Sequence, residues 1–240
     1  MRFISKNTLA PFDWFIILGS IAFYIIYYVL VRLGINPEFS LLGAIAGVSG
    51  LVCNVLCAKR NILNYLFGVI NVSLYAWISW QNRIYGDVVL NALYYLPMQF
   101  IGFFSWLRRP EAASGDEASE KVSVVKSRRL STRNRILLLL GSAIAVLVTG
   151  WILKNYTSDP QPYKDSATTV LSIIAMALMV MAFMEHWWLW IFVNVLGLVM
   201  WVAVFAKGGE SSAEMVIMWL FYLINSINGY MVWSKASRSQ

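Results

Sequence analysis

Hydrophobic residues occur in eight blocks of about 20 along this chain, and short polar segments separate most of the blocks. A block of that length spans the roughly 30 Å hydrocarbon core of a bilayer as an α-helix, which satisfies its own backbone hydrogen bonds in lipid. The blocks predict helices at about 13–32, 40–57, 62–80, 86–107, 135–153, 166–184, 187–206 and 213–233. We therefore expect an all-α integral membrane protein with eight transmembrane helices, the first of which is too long for a cleaved signal peptide.

Composition agrees with this expectation. Of the 240 residues, 59% are hydrophobic and 13% are charged, whereas soluble domains carry roughly 25% charged residues. An ordinary soluble domain is therefore excluded. Cys53 and Cys57 lie four residues apart on one face of an apolar block, and we interpret them as packing residues.

The longest polar stretch, residues 108–134, divides the chain and has the Pro, Ser, Glu and Gly content of a solvated linker. With the N-terminus inside, the inner regions hold 14 of the 19 Lys and Arg residues and the outer loops hold 5. Because positive residues are retained in the cytoplasm, both termini are predicted to be cytoplasmic. The net charge of +7 is then a topology signal near anionic lipid and implies no nucleic-acid partner.

The two halves of the chain contain an internal repeat. Six residues of the fourth block recur in the eighth block at a shift of 127: Val89, Leu93, Tyr95, Leu96, Gly102 and Trp106. Asn71 recurs as Asn194 at a shift of 123. The matches predict two parallel three-helix bundles, 40–107 and 166–240, joined by a linker and linking helix in 108–165 and preceded by an extra helix in 1–39. Transporters with parallel repeats bind substrate at the repeat interface near the membrane midplane.

Polar side chains within the blocks mark the candidate site, because such groups are unfavourable in hydrocarbon unless they pair or line a wet cavity. Helical spacing places aromatic and carboxamide groups on shared helix faces. The candidate substrate-binding residues are Asn71, Asn91, Tyr95, Gln99, Trp187, Trp190, Asn194, Tyr222, Asn225 and Asn228. The positions of Trp106, Trp187 and Trp233 near block ends predict an interfacial aromatic belt. A single amide is equally well explained by hydrogen bonding between helices. The whole set of amides is better explained by a polar cavity.

Groups that are missing from the blocks narrow the function. Asp13, Asp87 and Glu185 fall at block ends and His186 is the one histidine, so no proton or sodium relay is expected. The sequence shows no catalytic, metal-binding or cofactor motif, which argues against an enzyme. It also lacks an Arg or Lys cluster at mid-depth, which argues against a phosphorylated substrate. A flat ring with hydrogen-bonding substituents, including a delocalised cation, fits such a cavity.

Three strings carry a resemblance to a known family: WxxW from Trp187 to Trp190 with Asn194 after it, YYLPMQFIGFFSW from Tyr94, and YLINSINGYMVW from Tyr222. With the three-plus-one-plus-three plan, they resemble the PnuC nicotinamide riboside transporters, relatives of the SWEET sugar transporters. The resemblance covers about residues 40–236. The first helix lies outside it.

The resemblance implies facilitated diffusion of nicotinamide riboside by alternating access across a bacterial inner membrane, in a homotrimer. It implies that Trp187, Trp190 and Asn194 bind the substrate, with Gln99, Tyr95, Asn225 and Asn228 as neighbours. Thiamine, another riboside or a small sugar are the alternative substrates. The alternative from another class is a membrane scaffold or receptor whose basic run, 126–135, recruits a cytoplasmic partner.

Overall fold

The structure, a computed structural model, describes residues 9–34, 39–108, 125–156 and 162–237. The described residues form eight long helices. Their bounds are α1 Pro11–Arg32, α2 Leu41–Ala58, α3 Asn64–Gln81, α4 Tyr85–Leu107, α5 Thr132–Tyr156, α6 Pro162–Val180, α7 His186–Ala206 and α8 Ser212–Ala236. Both ends of each helix lie within four residues of the predicted ends, so the expected all-helical fold is confirmed.

Seven of these helices are long and apolar enough to cross a membrane, and α3 is the exception within the described ranges. α3 has 18 residues but carries Asn64, Asn71 and Gln81, which lower its hydropathy. Large apolar side chains on the outer faces of α1 and α5, such as Phe15 and Ile144, are exposed. Apolar faces of this extent are suited to lipid rather than to water.

Two bundles of three helices surround the centre of the molecule. The first bundle is α2, α3 and α4, and the second bundle is α6, α7 and α8. Between the bundles, α2 packs on α8, and the C-terminal half of α4 packs on α6. α5 packs on α6, whereas α1 packs on α2 and α8. The centre is therefore enclosed by helices from both halves of the chain.

The turns from α2 to α3 and from α6 to α7 have matching backbone geometry. A residue in the left-handed conformation interrupts each helix, Arg60 with φ of 60° and Ala182 with φ of 61°. In both turns the next N–H donates to a carbonyl five residues earlier, at 2.9 Å. A left-handed residue cannot continue a right-handed helix, so α6 ends at Val180, four residues before its predicted end.

The last part of the linker packs against both of these turns. The Val125 N–H donates to the Arg60 carbonyl at 3.0 Å, and the Arg128 N–H donates to the Ala182 carbonyl at 2.7 Å. The side chains of Val125 and Ser127 are buried. The expectation of a solvated linker is therefore wrong for residues 125–128, while residues 109–124 lie outside the described chain.

Two tryptophans, Trp106 and Trp233, each donate a hydrogen bond to the opposite bundle, and we call them the tryptophan pair. Trp106 Nε1 donates to the Met179 carbonyl at 3.1 Å, and Trp233 Nε1 donates to the Cys57 carbonyl at 3.0 Å. The two rings are 6.0 Å apart, and both are buried, as is Trp187. The expectation that these three residues form an interfacial belt is wrong, because their rings fill the junction between the bundles.

The first helix belongs to the packed fold. Asp13 of α1 forms an ion pair with Lys59 at the end of α2, at 2.7 Å. Tyr24 packs on Gly47 of α2, where a Cβ atom would overlap the phenol, and its hydroxyl donates to the Glu214 carbonyl of α8 at 3.2 Å. α1 thus bridges α2 and α8 on the outside of their contact.

The helix α4 contains a π-helical turn over Leu90–Tyr95, just before Pro97. Pro97 has no N–H, so the carbonyl of Leu93 lacks its helical donor. π-Helical turns widen a helix locally and are frequent at functional sites. Here the turn contains Asn91 and Tyr95, which face the centre of the molecule.

Candidate functional site

A cavity of about 160 Å³ lies between the two bundles and is lined by all six of their helices. One water molecule needs roughly 10–15 Å³ of such space, so the cavity has room for a small molecule. We call one end the Asp87 end, where α3 ends and α4 begins. The other is the Trp187 end, where α2 ends and α7 begins.

Aromatic rings form the wall towards the Trp187 end. The rings of Tyr95 on α4 and Trp190 on α7 are 6.1 Å apart, with an interplanar angle of 49°. Trp187 is seated against Gly229 of α8, where a Cβ atom would overlap the indole. These side chains offer apolar faces on which a planar or cationic ring can stack.

Carboxamide groups lie farther along the cavity. Asn71 Nδ2 donates to a carbonyl of α2 at 2.9 Å, and Asn194 Nδ2 donates to Ser226 Oγ at 2.7 Å. Gly50 of α2 lets Asn71 and Tyr222 approach closely, since a Cβ atom there would overlap both side chains. Because the Asn194 nitrogen is engaged, its carbonyl oxygen is the group left to accept a hydrogen bond from a ligand.

Several polar atoms of the lining residues have no hydrogen-bond partner within the described chain. They are Gln99 Oε1 and the indole nitrogens of Trp187 and Trp219. Gln99 is held at Gly68, where a Cβ atom would overlap its amide. A buried polar group without a partner costs about 1–3 kcal/mol, so these atoms favour a ligand that brings both donors and acceptors.

The Asp87 end carries a carboxylate that the sequence pattern did not assign to the site. The Tyr75 hydroxyl donates to Asp87 Oδ2 at 3.0 Å and accepts from Trp201 Nε1 at 2.6 Å. Both Asp87 and Tyr75 line the cavity. A spacing of four residues places Asp87 on one face with Asn91 and Tyr95, and this spacing is the signal that identifies it.

The structure brings together eight of the ten predicted site residues. Those that line the cavity are Asn71, Asn91, Tyr95, Gln99, Trp187, Trp190, Asn194 and Tyr222. Asn225 and Asn228 are not part of the lining. Asn225 Nδ2 donates to Asn54 Oδ1 at 2.9 Å and so joins α8 to α2, with Asn54 at the cavity wall. Asn228 Nδ2 is buried without a partner in the described chain.

Sequence reasoning also missed the contribution of α6. Thr168, Ser172, Met176 and Met179 of this helix all line the cavity. Their spacing of three or four residues places them on one face. The signal is weak because Ser and Thr hydroxyls can bond to the backbone of their own helix, as Thr168 Oγ1 does.

The charge of the cavity is negative. Among the described residues that line it, Asp87 is the one charged side chain, and no lysine or arginine takes part. The described ranges contain no group of three or more His, Cys, Asp or Glu side chains that could hold a metal ion. The arrangement can therefore bind a ring and its polar substituents, and it favours a positively charged ligand.

A known family model matches most of the chain. The model, described as "Nicotinamide mononucleotide transporter", matches residues 40–235. This range contains every residue that lines the cavity.

Individual relatives agree with this match. The chain is 39% identical over 201 residues to the nicotinamide riboside transporter PnuC of Neisseria mucosa, covering 83% of this chain and 74% of the relative. It is 30% identical over 196 residues to the nicotinamide riboside transporter PnuC of Haemophilus influenzae, covering 82% of this chain and 80% of the relative.

A solved structure has the same fold. It is described as the crystal structure of the vitamin B3 transporter PnuC and matches with a TM-score of 0.81 at 35% identity, covering 96% of this chain and 94% of that chain. The uncovered share is too small to contain the 22 residues of α1, so the similarity reaches into the first helix.

Proposed function

The chain belongs to the nicotinamide mononucleotide transporter family, and from that premise we propose that it is a uniporter for nicotinamide riboside in a bacterial inner membrane. The family and the named relatives are transporters and not enzymes. The observation that carries the choice of substrate is the cavity lining. It combines aromatic walls, unpartnered amide and indole groups and one carboxylate, without lysine or arginine.

The lining matches the chemical parts of this substrate. Trp190 and Tyr95 stack on the pyridinium ring, which is a delocalised cation attracted to aromatic faces. Gln99 Oε1 and the Asn194 carbonyl oxygen accept hydrogen bonds from the substrate carboxamide and the ribose hydroxyls, and the Trp187 indole donates one. Two of these protein atoms, Gln99 Oε1 and Trp187 Nε1, have no partner within the described chain.

The riboside is favoured over the mononucleotide that the family description names. Arginine and lysine side chains are the common charged ligands of phosphate in proteins, and the described cavity lining has neither. Asp87 would repel a phosphate in this low-polarity space. The names of the two relatives also specify the riboside.

Contacts between the bundles at both ends of the cavity support transport by alternating access. At the Trp187 end, the tryptophan pair bonds to carbonyls of the opposite bundle. At the Asp87 end, Trp201 donates to Tyr75, and Asn82 Nδ2 donates to the Glu210 carbonyl at 2.9 Å. Opening one end breaks one set of contacts and leaves the other intact, so the substrate meets one side of the membrane at a time.

The matching turns at Arg60 and Ala182 and the hydrogen bonds of the tryptophan pair support a SWEET-like duplication, with two parallel bundles linked by α5. All eight helices then span the membrane, including α3, whose Asn71 faces the cavity rather than lipid. The distribution of positive residues places both termini in the cytoplasm, and the family resemblance supports a homotrimer. The accessibility of terminal tags in sealed vesicles tests the topology, and native mass spectrometry tests the oligomeric state.

Uptake of radiolabelled nicotinamide riboside into proteoliposomes tests the proposed function. We expect uptake by the wild type and a loss of about tenfold or more in the Trp190→Ala, Asn194→Ala double variant, since the stacked ring and the amide each contribute on the order of 1 kcal/mol. Trp151→Ala is the matched control, because Trp151 is an exposed residue of α5 outside the lining. Full uptake by the double variant would refute these site residues, and transport of thiamine or a sugar instead of the riboside would refute the substrate.

A further inference from the structure

We propose that Asp87 sets the charge selectivity of the cavity. Its carboxylate favours a substrate with a positively charged ring over an uncharged ring of the same shape, and it disfavours a phosphorylated form. The inference rests on the proposed function and deepens it, because it assigns the discrimination between related ligands to one side chain.

Asp87 is held in position by a buried chain of hydrogen bonds. The Tyr75 hydroxyl donates to its Oδ2 atom, and that hydroxyl accepts from the Trp201 indole. Tyr75 and Trp201 are both buried, with ring centroids 5.8 Å apart and planes at 73°. Because Trp201 belongs to the second bundle, the position of the carboxylate is fixed by both halves of the protein.

The charge of Asp87 is not neutralised within the described residues. Two other carboxylates near helix ends have ion-pair partners: Asp13 pairs with Lys59 at 2.7 Å, and Glu185 pairs with Arg135 at 2.8 Å. Asp87 has no such partner, and the cavity lining offers no lysine or arginine. In a site of low polarity an unpaired charge acts over several ångströms, so a ligand anywhere in the cavity experiences it.

Three ligands with the same nicotinamide and ribose groups differ in charge and therefore separate this effect from shape. Nicotinamide riboside has a quaternary ring nitrogen and is a cation. Its dihydropyridine form carries one added hydride on the ring and is uncharged. The mononucleotide adds a phosphate, whose negative charges oppose the carboxylate.

Isothermal titration of the purified full-length protein with each of these three ligands tests the proposal. We expect the wild type to bind the riboside about tenfold more tightly than the dihydropyridine form, because one weakly screened charge pair stabilises the cation. We expect it to bind the mononucleotide more weakly than the dihydropyridine form. In Asp87→Asn we expect the riboside to bind only about twofold more tightly than the dihydropyridine form, because the aromatic faces still attract the cation. We also expect the affinity for the mononucleotide to rise relative to that for the riboside.

Glu210→Gln is the matched control, because it removes the same charge from an exposed side chain of the loop between α7 and α8 and keeps the backbone carbonyl to which Asn82 donates. We expect it to keep the wild-type ratios. Asp87→Ser removes the charge while retaining an oxygen that can accept from Tyr75, and it provides a second variant if Asp87→Asn does not fold, as judged by its melting temperature.

The outcomes separate this proposal from the proposed function. A wild type that binds none of the ligands refutes the proposed function and the inference with it. A wild type that binds the charged and uncharged ribosides equally, or charge-removing variants that keep the wild-type ratios, overturn the role of Asp87 and leave the proposed function standing.

Discussion

Tryptophan residues occupy two kinds of position in this protein. Trp77, Trp80 and Trp151 are more than half exposed, at 56%, 56% and 53%, on the surface that faces outward. The tryptophan pair is buried and donates to carbonyls in the last turns of α2 and α6. A buried indole needs a hydrogen-bond acceptor, and here that need joins the two bundles at the Trp187 end.

Replacement of Trp233 by phenylalanine tests the contribution of this contact. The change keeps an aromatic ring but leaves the Cys57 carbonyl without the indole donor. We expect a loss of about 1–2 kcal/mol, which lowers the melting temperature by about 2–8 °C in a chain of this size. Adding Trp106→Phe lowers it further, as measured by thermal unfolding in detergent.

Trp77→Phe is the control for this series, because Trp77 is exposed on α3. We expect its melting temperature to equal that of the wild type within about 1 °C. Equal melting temperatures for Trp77→Phe and Trp233→Phe would show that the crossed hydrogen bonds do not stabilise the junction.

At the scale of elements, the segments outside the two bundles hold the bundles together. α1 bridges α2 and α8, and residues 125–128 connect the two matching turns. The basic run at 126–135 is partly used in this packing, since Arg135 pairs with Glu185 and Arg128 lies over the Phe183 ring at 4.3 Å. These contacts give the run a structural role within the protein.

Replacement of residues 112–123 by glycine and serine of equal length separates a transporter from a scaffold. The described packing of the linker starts at Val125, so we expect riboside uptake to stay within about twofold of the wild type. A scaffold whose linker recruits a cytoplasmic partner would instead show no riboside uptake in either form and would lose that partner in affinity purification. Val125→Asp is the contrasting variant, and we expect it to lower the melting temperature because it places a charge at a buried position.

At the scale of the whole molecule, the proposed carrier moves a cationic substrate across the membrane without a coupled ion. A uniporter for a cation then moves net charge across the membrane. The membrane potential acts on that charge with about 2.3 kcal/mol per 100 mV.

We therefore expect riboside accumulation in proteoliposomes to follow the membrane potential. An inside-negative potential of about 100 mV should raise the equilibrium inside-to-outside ratio by about 50-fold. A sodium or proton gradient at zero potential should have no effect, because the uniport has no coupled ion. The measurement uses potassium and valinomycin to set the potential, and accumulation driven by a sodium or proton gradient alone would contradict uniport.

The helices and their order could be predicted from the sequence because a bilayer imposes one length and one secondary structure on each apolar block. Eight residues of the cavity lining could be predicted because carboxamides, tyrosines and regularly spaced tryptophans stand out in apolar helices. Asp87 escaped prediction because its position at the end of a block suggested contact with water. Asn225 was assigned to the cavity, whereas it bonds to Asn54 across the contact between α2 and α8.

The amino-acid sequence by itself therefore determined the membrane environment, the helical content and most of the polar groups of the site. Only the tertiary structure decided which residues meet across the bundles: Trp106 with Met179, Trp233 with Cys57, and Trp201 with the Tyr75 that holds Asp87. The physical reason is that lipid-facing and core-facing surfaces are both apolar here, so hydrophobicity does not specify the rotation of a helix. That rotation follows from close packing and hydrogen bonds between segments more than 70 residues apart.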